Sequence, residues 1–201
     1  FAPDLLWIKN RTSSADNILF DRVRGAGEAL YPSNTNAEDT NTTKMSAFGT
    51  DGFSLGGNYS EVNKDSNNFV SWNWLAGNST VSNGDGSITS NISVNQTAGF
   101  SIVTWTGTGA NATVGHGLGA VPSWILVKQR TDADSWTVYH AGNTSGPETE
   151  GLTLDTDVAT QDAATFDDDD EIHFLQRVRH PRLVMFMGAG RMPDKNLFLV
   201  L

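Results

Sequence analysis

Cysteine is absent from the 201 residues, which excludes disulfides and thiolate metal sites. A chain of this length buries roughly two-thirds of its unfolded surface. A core without crosslinks is therefore feasible, and the absence is neutral on compartment. Basic residues are scarce: 13 Lys and Arg stand against 23 Asp and Glu, a formal net charge of −10. Binding nucleic acid needs a basic footprint for the phosphates, so that partner class is not expected. An acidic surface instead favours solubility and suits salty surroundings. Long apolar runs are also missing. The longest candidates, around Leu183–Met187 and Leu197–Leu201, are strand-sized and far short of the ~20 residues of a membrane-spanning helix. No membrane partner is expected either. Nor does any segment longer than about ten residues carry helical periodicity with caps.

What the chain does contain is aromatic and turn-forming. Six Trp and ten Phe accompany 20 Gly and abundant Asn, Ser and Thr, a composition of short strands joined by turns. Leu5–Lys9 reads as a buried strand, and Asn17–Arg22 as its hairpin partner, broken by Gly25-Ala26-Gly27. Residues 31–43 form a polar loop, and Thr50–Gly57 brackets a short strand between Asp-Gly and Gly-Gly. Phe69–Leu75 alternates cleanly and is expected in mid-sheet, with Val70, Trp72 and Trp74 facing the core. Ser87–Val94 and Phe100–Thr106 follow as further strands, after a turn-rich link at Val81–Gly86. The expected fold is all-β, an antiparallel β-sandwich of the jelly-roll or lectin-like kind built from two related units.

The two units are read from a repeat. Pro3-Asp4-Leu5-Leu6-Trp7-Ile8-Lys9-Asn10-Arg11-Thr12 returns ungapped as Pro122-Ser123-Trp124-Ile125-Leu126-Val127-Lys128-Gln129-Arg130-Thr131. Residues 1–80 are taken as the first unit and 81–201 as the second. The second copy is led in by Thr113–Gly119 and the first has no such lead-in, so the expectation is a chain that opens inside a unit of a longer polypeptide. The second unit diverges beyond about residue 165. Five acids, Asp167–Glu171, precede Arg177, Arg179, His180 and Arg182, and Asn196–Leu201 is the nearest counterpart of the aromatic strand.

Several motifs together carry a family resemblance. They are His116-Gly117-Leu118-Gly119 with Pro122, Leu19-Phe20-Asp21 with Val23-Arg24-Gly25, Asp51-Gly52-Phe53, Trp72–Gly77, Asp85-Gly86-Ser87-Ile88 and Ala98–Val103. In this order the chain resembles a β-rich domain of tail and fibre-like virion proteins of tailed bacteriophages, frequent among phages of marine bacteria. The resemblance runs over roughly residues 1–145. It implies a virion component with other virion proteins and copies of itself as partners, a homotrimer by analogy, and it brings no catalytic residues.

Read for chemistry, His116-Gly117-Leu118-Gly119 is a turn whose glycines take positive φ, because a strand follows where a phosphate site would need a helix. Asp167, Asp168, Asp169 and Asp170 are candidate Ca²⁺ ligands, but they lack the spacing of a calcium loop and read first as a solvated acidic segment; no cofactor is expected. The sequons at Asn78-Ser79-Thr80 and Asn111-Ala112-Thr113 read as polar loop. No Gly-x-Ser-x-Gly elbow and no singled-out carboxylate pair appears, so an enzyme is not expected. Trp7 and Trp105 are the candidates for stacking on a sugar ring. The expected function is a structural and adhesive module of a virion surface that touches host polysaccharide. The alternatives are a lectin-like module of a bacterial adhesin and a polysaccharide depolymerase.

Overall fold

The computed structural model describes residues 1–162 and, as backbone, the strands at 172–174 and 181–187. Among the described residues every regular element is a strand, and every named pairing is antiparallel, as expected. The first sheet is built from β1 (Leu5–Asn10), β2 (Ile18–Asp21), β3 (Gly25–Leu30) and β6 (Phe69–Trp74), in the order β3-β2-β1-β6. Between β3 and β6 the chain forms the hairpin of β4 (Met45–Phe48) and β5 (Phe53–Leu55).

The second sheet takes β7 (Val81–Asn83), β8 (Ser90–Asn95), β9 (Phe100–Thr106), β11 (Trp124–Gln129), β12 (Thr137–His140), β13 (Glu150–Thr153), β14 (Gln161–Asp162) and β16 (Pro181–Met187). Its order is β14-β13-β12-β11-β16-β9-β8-β7. A small ladder joins β10 (Ala112–Val114) to β15 (Ile172–Phe174).

The repeat is visible in the pairing register. In the first sheet Leu5 pairs with Asp21 and Trp74, and Ile8 with Ile18 and Ser71. At an offset of 119 from Leu5, Trp124 pairs with His140 and Met187; at the same offset from Ile8, Val127 pairs with Thr137 and Val184. Thus β12 stands to β11 as β2 stands to β1, and β16 occupies the place of β6. This corrects one expectation: the counterpart of the aromatic strand is Arg182–Met187, while Asn196–Leu201 lies outside the described residues. Leu19↔Leu30 and Val138↔Leu152 extend the correspondence to β3 and β13.

Period-two alternation sends the two faces of each strand to different cores. Leu5, Leu19 and Leu30 meet Phe100, Ile102, Leu126, Trp136 and Val138 in a central core between the sheets. The opposite face of the first sheet, with Leu6, Ile8, Ile18 and Phe20, is covered by Met45, Val62 and the partly buried Phe48 and Phe53. The outer face of the second sheet, with Val103, Trp105, Ile125 and Val127, packs under Ile88, Val114 and Leu118. The central core therefore joins residues from both the 1–80 and the 81–201 stretches.

Three further expectations change. Gly25–Leu30 is a strand rather than a break: Gly25, at φ +117°, closes the turn and the chain then pairs back on β2 through an irregular register. Val81–Asn83 in the link is strand β7. Phe69–Trp74 is a strand, but among the described residues it lies at the edge of its sheet and not in the middle.

Candidate functional site

Three groups of polar residues stand out. The first is a buried ion-pair cluster. The turn after β2 places Arg24 so that its backbone N–H and Nε donate to Asp21, and its Nη1 donates to Glu38 Oε1 at 2.8 Å. From the turn after β11, Arg130 donates Nε to both Glu38 oxygens at 2.9 Å and Nη2 to Oε2 at 2.6 Å. The side chains of Arg24 and Asp21 are fully buried and that of Glu38 is 5% exposed. Burial pushes the Glu38 carboxyl upward, but the Arg130 and Arg24 guanidiniums outweigh it and hold the group below its ordinary range. Arg24 responds in the opposite sense: burial lowers it, Asp21 and Glu38 raise it, and the net direction is up. The cluster consumes its own charges and bridges the sheets, so it acts as a clamp.

A second group, on the outer side of the first sheet, joins Lys44 to Tyr31 Oη at 2.6 Å and to Asp39 at 3.1 Å. Burial works against the charged Lys44, but its bonds to Tyr31 and Asp39 prevail and raise it. The buried Asp4 is a third anchor. It accepts from Arg22 Nε at 2.9 Å and from the backbone N–H groups of Ala76 and Asn78 at 2.8 and 3.0 Å, which pins the end of β6 to the start of β1.

An open cleft of about 500 Å³ lies at the margin between the sheets, with Trp7 on one wall. Asn17 and Ser33 line it from the first sheet, and Leu154, Asp155 and Asp157 from the loop after β13. Trp7 is half-buried and its Nε1–H donates to Asn17 Oδ1 at 3.4 Å, which fixes the ring against the cleft. Asp155 is already committed: Oδ1 accepts from the Trp136 N–H at 2.7 Å and Oδ2 from Ser135 at 3.1 Å. Asp157 is exposed. An indole face beside amide, hydroxyl and carboxylate groups is a chemistry that suits a polyhydroxylated ligand.

The two tryptophan candidates have separate fates. Trp7 opens on the cleft, whereas Trp105 is 4% exposed inside the outer core and offers no open ring face. Trp72, expected in the core, is 38% exposed. It pairs with Trp7 across the strands, so the two indoles share one face of the first sheet. Trp74 on the same strand is covered, with its ring 6.4 Å from that of Phe100. The alternation of Phe69–Leu75 correctly groups Val70, Trp72 and Trp74, but how far the second sheet reaches over that face is decided by packing between distant segments.

His116 is buried and its Nδ1 accepts from the Leu118 N–H at 3.1 Å, while Gly117 and Gly119 have φ of +74° and +69°, as a turn reading requires. Asp167, Asp168, Asp169 and Asp170 lie outside the described residues. Among the described residues no three His, Asp or Glu side chains gather as metal ligands.

Fold and site together define an all-β protein of two packed antiparallel sheets with an open aromatic and polar cleft at their margin. The chain belongs to a family described as a domain of unknown function, DUF7483, which matches over residues 1–178. No curated protein and no solved structure matches it.

Proposed function

We propose that this chain is a structural and adhesive module of a phage virion, and that the Trp7 cleft is where it contacts a host surface glycan. The virion setting rests on the ordered motifs described above. The glycan contact rests on one observation: a half-buried indole, fixed by Asn17, beside Ser33 and Asp157 in a cleft open to solvent. A pyranose lays its apolar face on such a ring and gives its hydroxyls to the flanking acceptors. The Glu38 clamp suits a load-bearing role, because it ties the sheets together through largely buried ion pairs. A hydrolytic role is disfavoured. Glycoside cleavage needs two carboxylates, and Asp155 is spent on Trp136 and Ser135.

The test is binding of the full chain to arrayed bacterial surface polysaccharides, with and without calcium, alongside Trp7→Ala. We expect Trp7→Ala to weaken binding about five- to tenfold while the variant still shows a cooperative thermal transition, since one stacking tryptophan contributes about 1–1.5 kcal/mol. Unchanged binding in that variant would remove the cleft from the reading. Binding abolished by a chelator would move it to a calcium-dependent lectin. Release of reducing ends from the polysaccharide would replace it with a depolymerase.

A further inference from the structure

We infer that the outer edge of β6 is a strand-docking site, completed by an extended segment of another polypeptide that carries the pattern of β9 and runs antiparallel to β6. The inference does not depend on the Trp7 cleft. It starts from the register correspondence. The three-strand unit β2-β1-β6 is repeated as β12-β11-β16, with matching pairings at each position. In the second unit the sheet does not stop there. β16 takes β9 on its other side through seven consecutive pairs, from Pro181↔Thr106 to Met187↔Phe100. In the first unit the equivalent strand, β6, has β1 as its only strand neighbour among the described residues.

The backbone of β6 is arranged to receive such a strand. The Arg11 N–H donates to the Asn68 carbonyl, which marks Arg11 and Asn68 as a hydrogen-bonded pair of the β1–β6 ladder. Bonding alternates along an antiparallel ladder, so Val70, Trp72 and Trp74 also turn their backbone groups toward β1. Phe69, Ser71 and Asn73 turn theirs away. In the second unit the residues matched to these three, Arg182, Val184 and Phe186, lie opposite Trp105, Val103 and Ser101 of β9.

The edge also lacks the usual protection. Exposed edge strands are normally kept short, bulged, charged or broken by Pro. Here β3 carries two glycines, a glutamate and an irregular register, β7 has three residues and β14 two. By contrast β6 runs six residues in unbroken register as Phe-Val-Ser-Trp-Asn-Trp, with no charge, proline or glycine. Its Trp72 and Asn73 are exposed. A strand laid along this edge adds main-chain hydrogen bonds, and its apolar face covers Trp72. The β9 sequence, Phe-Ser-Ile-Val-Thr-Trp-Thr, is the pattern that meets those requirements in the second unit, being uncharged, β-branched and aromatic.

The probe is a fluorescent peptide of the Phe100–Thr106 sequence with lysines added at both ends for solubility, titrated into the full chain and read by anisotropy. We expect saturable binding, quenching or blue shift of tryptophan emission as Trp72 is covered, and at least a tenfold loss of affinity with Ser71→Pro. Because Ser71 directs its N–H away from β1, this proline removes an edge donor without breaking the β1 ladder. If Ser71→Pro fails to fold, Asn73→Lys and a peptide N-methylated along one edge, tested on the unaltered chain, make the same comparison. No saturable binding, or binding indifferent to both the edge variants and N-methylation, overturns the inference. So does a chain that is dimeric by analytical ultracentrifugation, becomes monomeric on edge substitution and does not yield to the peptide, because the edge then pairs with its own copy.

Discussion

Replacing Glu38 by Gln tests whether the buried clamp holds the two sheets together. The substitution keeps the volume and removes the charge. In the native protein both Glu38 oxygens accept, Oε1 from Arg24 and Arg130 and Oε2 from Arg130. An amide retains one acceptor and turns an NH₂ donor against a guanidinium that has only donors. Breaking a buried pair on one side costs about 3–5 kcal/mol. Asp21 still neutralises Arg24, and Arg130 is 23% exposed, so the lower end applies, about 3 kcal/mol. For a domain of this size that corresponds to a fall in Tm of roughly 6–12 °C. The pH dependence adds a second check. Glu38 sits below its ordinary 4.5, so its contribution is present above that value and is lost as pH falls through the depressed folded-state value. The gap between native and Glu38→Gln protein should be full near pH 7 and should narrow in acid, measured by urea unfolding followed through tryptophan fluorescence. A gap under about 0.5 kcal/mol at neutral pH, the usual scale of an inert surface change, would refute the clamp. A gap of equal size in strong acid would refute the assignment to Glu38 ionisation.

Two further substitutions probe other parts of the frame. Asp4→Asn should cost about 2–4 kcal/mol in the same unfolding assay, because the amide cannot accept from Arg22, Ala76 and Asn78 together in a fully buried site. Gly117→Ala should cost about 2 kcal/mol, since the residue has φ +74° and its new Cβ would lie 2.7 Å from Ile92 Cδ1. Gly57→Ala, which meets open space, should stay within about 0.5 kcal/mol of the native chain.

Much of the frame was legible where the information is local. The strand Leu5–Lys9, its partner at Asn17–Arg22 and the turn at His116–Gly119 follow from apolar runs and glycine placement, and the 119-residue offset between β1 and β11 reappears as a shared pairing register. What escaped depends on distant partners. Gly25 and Gly27 signal a turn, and they do close one, but the same residues continue as a strand because β2 offers an edge to pair with. The aromatic strand was legible as a strand and not as an edge, since edge position is set by which other segments arrive. Its counterpart in β16 was hidden because the spacing changes to 113 and the tryptophans are replaced by Arg182–Met187. Trp7 and Trp105 look alike in sequence. One faces a cleft and the other is roofed by Ile88, Val114 and Leu118, a difference made by layers that no local pattern records.

The position of β16 has a consequence for how the protein is made. It lies between β9 and β11, though it is synthesised after both. The four strands of the first sheet have all been made once Trp74 has emerged, but the second must hold a gap open until residues 181–187 arrive. At ordinary synthesis rates the stretch from Thr106 to Met187 takes about 4–16 s. During that interval β9 and β11 each present an unpaired apolar edge to neighbouring nascent chains, so assembly on the ribosome is exposed to mispairing until one late segment slides into the slot. A premature stop anywhere before β16 would leave that slot empty, and β9 and β11 without the strand that joins them.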